Sequence, residues 1–107
     1  MVKYQLKKSI EEYDEKEKNK IEEGCTFGGP DVEPEAIGDY TTEEAARKAL
    51  ERYRSYVCKY TYGENSWYVV EEYAIVVLQY DEDEGWLDTG DICKITAMPK
   101  PEEWYER

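Results

Sequence analysis

Residues 67–80, WYVVEEYAIVVLQY, run for fourteen positions without a glycine or proline and are built largely from Trp, Tyr, Val and Ile. Aromatic and β-branched side chains suit a pleated, half-buried surface, so the stretch predicts a long strand. DEDEG then turns the chain and Trp86-Leu87 resumes it. Asp91 to Ala97, DICKITA, alternates with period two. The expectation is a hairpin, continued or followed by a further strand.

Ahead of the strand lies a helix signal, TTEEAARKALERYRSYV at 41–57. Thr41 and Glu44 have the spacing of a capping box, with Tyr40 placed as a hydrophobic staple. Ala46, Ala49, Leu50, Tyr53 and Val57 fall on one helical stripe. Glu43 and Glu44 open the segment and Arg52 and Arg54 lie near its end, as the macrodipole favours. Small alanines on the stripe suggest close packing onto a sheet.

Residues 2–27 read two ways. Val2, Tyr4 and Leu6 alternate like a strand, whereas Leu6, Ile10, Tyr13 and Ile21 could line a charged helix. Tyr13-Asp14-Glu15-Lys16-Glu17 echoes Tyr80-Asp81-Glu82-Asp83-Glu84, which favours strand–turn–strand. Residues 24–40 hold four of the seven glycines and two of the four prolines and read as a loop. The expected fold is a two-layer α+β domain, β-β-α-β-β, with an antiparallel sheet and one main amphipathic helix. It spans residues 1–98, with a tail at 99–107 packing loosely through Trp104. At 107 residues the chain has room for one modest core.

Composition excludes much chemistry. With no histidine anywhere, Ser-His-Asp and Cys-His catalysis and histidine-based zinc sites are absent. Cys25, Cys58 and Cys93 have no paired spacing and fit reduced thiols of a cytoplasmic protein; Cys58 and Cys93 read as small buried hydrophobes. GCTFGGP at 24–30 lacks the residues of a phosphate loop. No nucleophile–base arrangement is visible, so a non-enzymatic protein without a cofactor is expected. The longest aliphatic run, Ala74 to Leu78, is far short of the about 20 residues that cross a bilayer. MVKYQLKKSI has no apolar core of a signal peptide.

What stands out is charge. The net charge is −12, and residues 60–107 carry 12 acidic side chains against 3 basic ones. Such a field repels nucleic acid and anionic membranes and attracts basic proteins. Residues 79–91, QYDEDEGWLDTGD, place six carboxylates in thirteen positions with no base among them. No register of this stretch fits a calcium loop: starting at Asp81, position 6 is Trp86, and starting at Tyr80, position 1 is not a ligand. The candidate partner-binding residues are Asp81, Glu82, Asp83, Glu84, Asp88 and Asp91, with Tyr80 and Trp86 as aromatic anchors. Trp67, Tyr68, Tyr73, Trp104 and Tyr105 extend the same surface. Carboxylates pair Arg and Lys, and aromatic faces accept guanidinium groups. The bland alternative is a solvated turn above core aromatics.

The helix TTEEAARKALERYRS, the strand ending YDEDEGW and the following GDI resemble short acidic proteins of bacterial phages and conjugative elements, over about the last two thirds of the chain. The resemblance implies an inhibitor of the anti-restriction or anti-CRISPR kind, an acidic protein that blocks a nucleic-acid-binding groove. Two other outcomes stay open: a homo-oligomer or accessory subunit pairing through the Tyr-rich strand 67–80, and a module that binds divalent cations weakly.

Overall fold

The computed structural model describes residues 1–24, 26–29 and 32–107. Its spine is a 17-residue strand, β4 (Asn65–Asp81), which contains the whole of the 67–80 run. Strand β1 (Val2–Asp14) lies antiparallel along one side in unbroken register, from Val2 opposite Gln79 to Asp14 opposite Trp67. Two strands share the other side. β3 (Tyr56–Tyr62) pairs with the first half of β4, and β5 (Gly85–Ile95) with the second. Thr96 fills the gap between them: its N–H donates to the Tyr73 carbonyl (2.9 Å) and its hydroxyl accepts from the Tyr73 N–H (3.1 Å). No backbone group of β4 at Tyr73 is therefore left without a partner, as a buried strand requires. Outside β1 runs β2 (Glu35–Tyr40), and β6 (Tyr105–Glu106) adds to β3 in parallel.

Side chains on a strand alternate between faces, and β4 uses both. Tyr73 and Ile75 point to one face, where with Leu6 of β1 they meet Ala46 and Leu50 of helix α2 (Glu43–Leu50). Tyr53 stacks on Tyr73 with ring centroids 4.5 Å apart. Tyr68 and Val70 point to the other face, nearer the start of β4. There they meet Val57 of β3 and Ile21 of a short helix, α1 (Lys18–Glu23). Trp104 closes that second cluster, edge-on to Tyr68 at 5.5 Å with its indole N–H on the Pro99 carbonyl (2.9 Å). Two half-cores thus lie on opposite faces and toward opposite ends of the sheet, in a molecule 53 Å along its longest axis. Every β4 residue from Val70 to Val76 is buried between or beside them.

The mixed class read from the sequence holds: the described residues form one sheet of six strands with two short helices. Its layout differs from β-β-α-β-β. Residues 2–14 form one long strand and not a hairpin; residues 15–23 continue as a 3-10 turn, Glu15–Glu17, and α1. Asp14 and Glu17 form a capping box there, and Lys18–Glu22 and Lys20–Glu17 pair at helical spacing. The echo of Tyr80–Glu84 in Tyr13–Glu17 extends to the turn itself, since Asp14 and Asp81 each end a strand and accept from the N–H two residues on, but only the second turn leads into a hairpin. The loop expected at 24–40 contains β2, an edge strand; its Cys25, Pro30 and Asp31 lie outside the described residues. Helix α2 stops at Leu50, and Val57, which continued the helical stripe, is a strand residue directly opposite Val70, both fully buried. Cross-strand packing at 56–62 outweighs the weak helix preference of that Tyr-, Val- and Thr-rich stretch.

The helix cap also moves. Thr42, not Thr41, is the N-cap, its hydroxyl accepting from the Ala45 N–H (3.2 Å). Thr42→Ala is accordingly expected to lower stability by about 1 kcal/mol in a denaturant titration, and Thr41→Ala to leave it nearly unchanged. Equal losses would contradict the cap. The Tyr-rich strand 67–80 is corrected as an oligomer interface: it is the centre of the sheet, paired on both sides, and offers no edge.

Candidate functional site

The acidic stretch is a projecting hairpin. Asp81 is the last residue of β4 and pairs with Gly85, the first of β5. Gly85, at φ +82°, takes the left-handed conformation that a short hairpin loop of this size requires. The Asp81 carboxylate accepts from the N–H groups of Asp83 (2.8 Å) and Glu84 (3.2 Å), which fixes the turn. Asp81, Glu82, Asp83 and Glu84 are exposed, and no ion pair among the described residues uses any of them.

Tyr80 and Trp86 face each other across the hairpin base, edge to face at 5.4 Å, 45% and 36% exposed. Trp86 already holds a cation: Lys3 Nζ lies 4.5 Å from its ring centroid and also 3.1 Å from Asp39. Asp88 and Asp91 stand apart from the tip. Asp88 pairs with Lys7 (3.5 Å) and accepts from the Gly90 N–H (2.8 Å). Asp91 is exposed within a bulge in which Thr89, Gly90 and Asp91 lie opposite Val77. That bulge and the charges on β5 blunt an otherwise open sheet edge.

The structure therefore brings together the four tip carboxylates with Tyr80 and Trp86, and places Asp88 and Asp91 along the neighbouring edge. Of the wider aromatic set, Tyr68 and Tyr73 are corrected: both are buried, in the two half-cores. Cys58 is buried, and Cys93 is half-buried against the α2 cluster.

A second constellation was not singled out in the sequence. Three glutamates are buried: Glu11, Glu71 and Glu72. Glu71 and Glu72 are successive on β4 and point to opposite faces. Glu71 is satisfied, with Lys8 at 3.2 Å and the Tyr73 hydroxyl donating at 2.8 Å. Glu11 receives three donors: the hydroxyls of Ser9 (2.9 Å) and Tyr13 (2.6 Å) and the N–H of Gly29 (3.3 Å). These bonds fasten the glycine-rich loop to β1, and burial with the Glu11 carboxylate holds the Tyr13 proton on far above its ordinary range.

Glu72 is different. It lies opposite Ser9, 1% exposed, and its Oε1 has no hydrogen-bond partner. Burial, and then the nearby Glu11 carboxylate, push its pKa up to about 7. Thr26 Oγ1 is likewise buried without a hydrogen bond of good geometry, although it lies near the Tyr13 phenol. The available signal was a carboxylate interrupting an apolar strand, VVEEYAIVV. Two carboxylates, one holding its proton near neutrality, are the parts of an acid–base pair, but Glu72 is too enclosed to touch a substrate.

Among the described residues no group of three or more Cys, Asp or Glu converges to hold a metal, and no helix is long and apolar enough to cross a membrane. Comparison with family models, curated proteins and solved structures gives no match to this chain.

Proposed function

We propose that this is a non-enzymatic cytoplasmic binding protein that docks its acidic C-terminal half onto a basic partner protein. The hairpin tip leads the contact. One observation carries the reading: four successive carboxylates sit on a turn ordered by its own hydrogen bonds, exposed and free of ion pairs among the described residues. A charge that meets no partner within the chain is available to one outside it, and a pre-formed turn loses little entropy on docking. Asp91 extends the field along β5. Asp88 and Trp86 contribute less, since Lys7 and Lys3 already engage them. In its sharpest form the partner is a nucleic-acid-binding protein and the tip stands in for phosphates, as the resemblance to acidic phage and conjugative-element proteins implies.

The test is capture from nuclease-treated host lysate, washed in parallel at about 0.1 M and about 1 M salt, where the screening length falls from about 10 Å to about 3 Å. Expected is a defined basic protein, held at low salt and released at high salt. Recovery of the chain alone at both salts would contradict electrostatic docking.

A further inference from the structure

Helix α2 covers one face of the sheet only beside the second half of β4, and α1 packs on the opposite face. Beside the first half of β4 the α2 face is therefore bare of helices. What lies there is aromatic. Alternation puts Tyr56, Tyr60 and Tyr62 of β3 and Trp67 of β4 on that face. Tyr60 and Trp67 are directly opposite and stacked, 5.8 Å apart and 14° from parallel. Tyr105 of β6 meets Tyr56 edge-on at 6.4 Å. Tyr56, Tyr62 and Tyr105 are 38%, 80% and 63% exposed, although large aromatics ordinarily bury their rings. With Cys58 as floor, Tyr56, Tyr60, Tyr105 and Arg107 line a groove of about 300 Å³.

We propose that this tyrosine face is a docking surface for an arginine-bearing segment of a basic protein. Three properties select that occupant. Ring faces carry negative potential and attract cations, most strongly a planar guanidinium that can stack. A chain of net charge −12 repels both nucleic acid phosphates and a second copy of itself. Glu12 and Asp14 stand on the same face of β1, across β4 from β3 and beside Trp67, exposed and free of ion pairs among the described residues, and they extend the acidic field over that face. The chain's own Arg107 already lies among these tyrosines. The face is separate from the hairpin tip, so this proposal and the docking role of the tip can fail independently.

The experiment compares octa-arginine with octa-lysine by isothermal titration at about 0.15 M salt. The two peptides carry equal charge, so general attraction to an acidic chain cancels; stacking and bidentate pairing to carboxylates remain, and the tyrosine changes separate the two. Expected is an affinity for octa-arginine about fivefold higher or more, the scale of a partly exposed cation–π contact. Tyr56→Ser/Tyr62→Ser/Tyr105→Ser should abolish the preference, and neutralising the exposed Glu23, Glu33, Glu51 and Glu102, which belong to neither surface, should leave it intact. If the triple variant does not fold, Tyr62→Ser alone, at the most exposed ring, should reduce it. Equal affinities, a preference that survives the tyrosine changes, or a dimer that those changes disperse would overturn the proposal. So would binding of a single-stranded oligonucleotide that competes with the arginine peptide.

Discussion

At pH 8 the Glu72→Gln chain is expected to be more stable than the natural one by up to roughly 3 kcal/mol, and at pH 4.5 about equal to it. Folding raises the Glu72 pKa from 4.5 to about 7, because the carboxylate is enclosed, has an oxygen without a hydrogen bond and faces Glu11. Between those values the folded chain holds a proton that the unfolded chain has lost, so stability falls as pH rises. The slope from this group is about 1.4 kcal/mol per pH unit, flat below 4.5 and above 7. Glutamine keeps the shape of the neutral acid and removes the titration. Urea titrations of both chains at several pH values between 4.5 and 8 isolate the effect, because the ion pairs elsewhere on the surface are common to both. A glutamine chain less stable than the natural one at pH 8, or a difference independent of pH, would show that Glu72 is satisfied as an anion.

Ile75→Ala is expected to cost about 2–5 kcal/mol, a large part of the 5–15 kcal/mol typical of a small domain. Ile75 is fully buried, directly opposite Leu6 and under the Ala46–Leu50 face of α2. Ile92→Ala, at a position 45% exposed on β5, should cost well under 1 kcal/mol. The larger loss should also be global. β4 runs through both half-cores, so weakening the α2 side must lower the stability of the side closed by Trp104. Tryptophan fluorescence and far-ultraviolet circular dichroism should give coincident midpoints for the Ile75→Ala chain. Separate transitions would mean that the two faces fold independently.

Legibility in the sequence followed how local each signal is. The β4 run was visible because fourteen residues without Gly or Pro leave few alternatives, and the start of α2 because Thr, Glu and Ala are local helix signals. The end of α2 was not visible. Val57 satisfies both a 3.6-residue and a two-residue period, and only the pairing with Val70, thirteen positions away in sequence, decides between them. β2 was hidden for a similar reason: Glu35 to Tyr40, EAIGDY, is polar and contains Gly38, and becomes a strand by pairing with the edge of β1. The tip carboxylates were legible as a cluster because adjacent residues on a tight turn stay adjacent. The involvement of Asp88 with Lys7, and of Trp86 with Lys3, was not, since β1 meets the hairpin only through the sheet. Glu72 was overlooked because charge density directs the eye to exposed clusters, whereas its significance lies in burial beside Glu11.

The docking role of the hairpin tip is tested most directly by removing its charge alone. Asp81→Asn, Glu82→Gln, Asp83→Asn and Glu84→Gln together keep the side-chain shapes. The amide oxygen that Asp81→Asn leaves in place can still accept from the two turn N–H groups that the Asp81 carboxylate now holds. The control chain neutralises four other exposed acids, Glu23, Glu33, Glu51 and Glu102, giving the same net charge. Each is titrated against the partner captured at low salt. The prediction is that the tip variant loses binding by at least tenfold, with its thermal midpoint unchanged, while the control chain keeps most of its affinity. Equal losses in both would mean that net charge, and not the hairpin, attracts the partner; undiminished binding in the tip variant would leave the stretch a solvated turn.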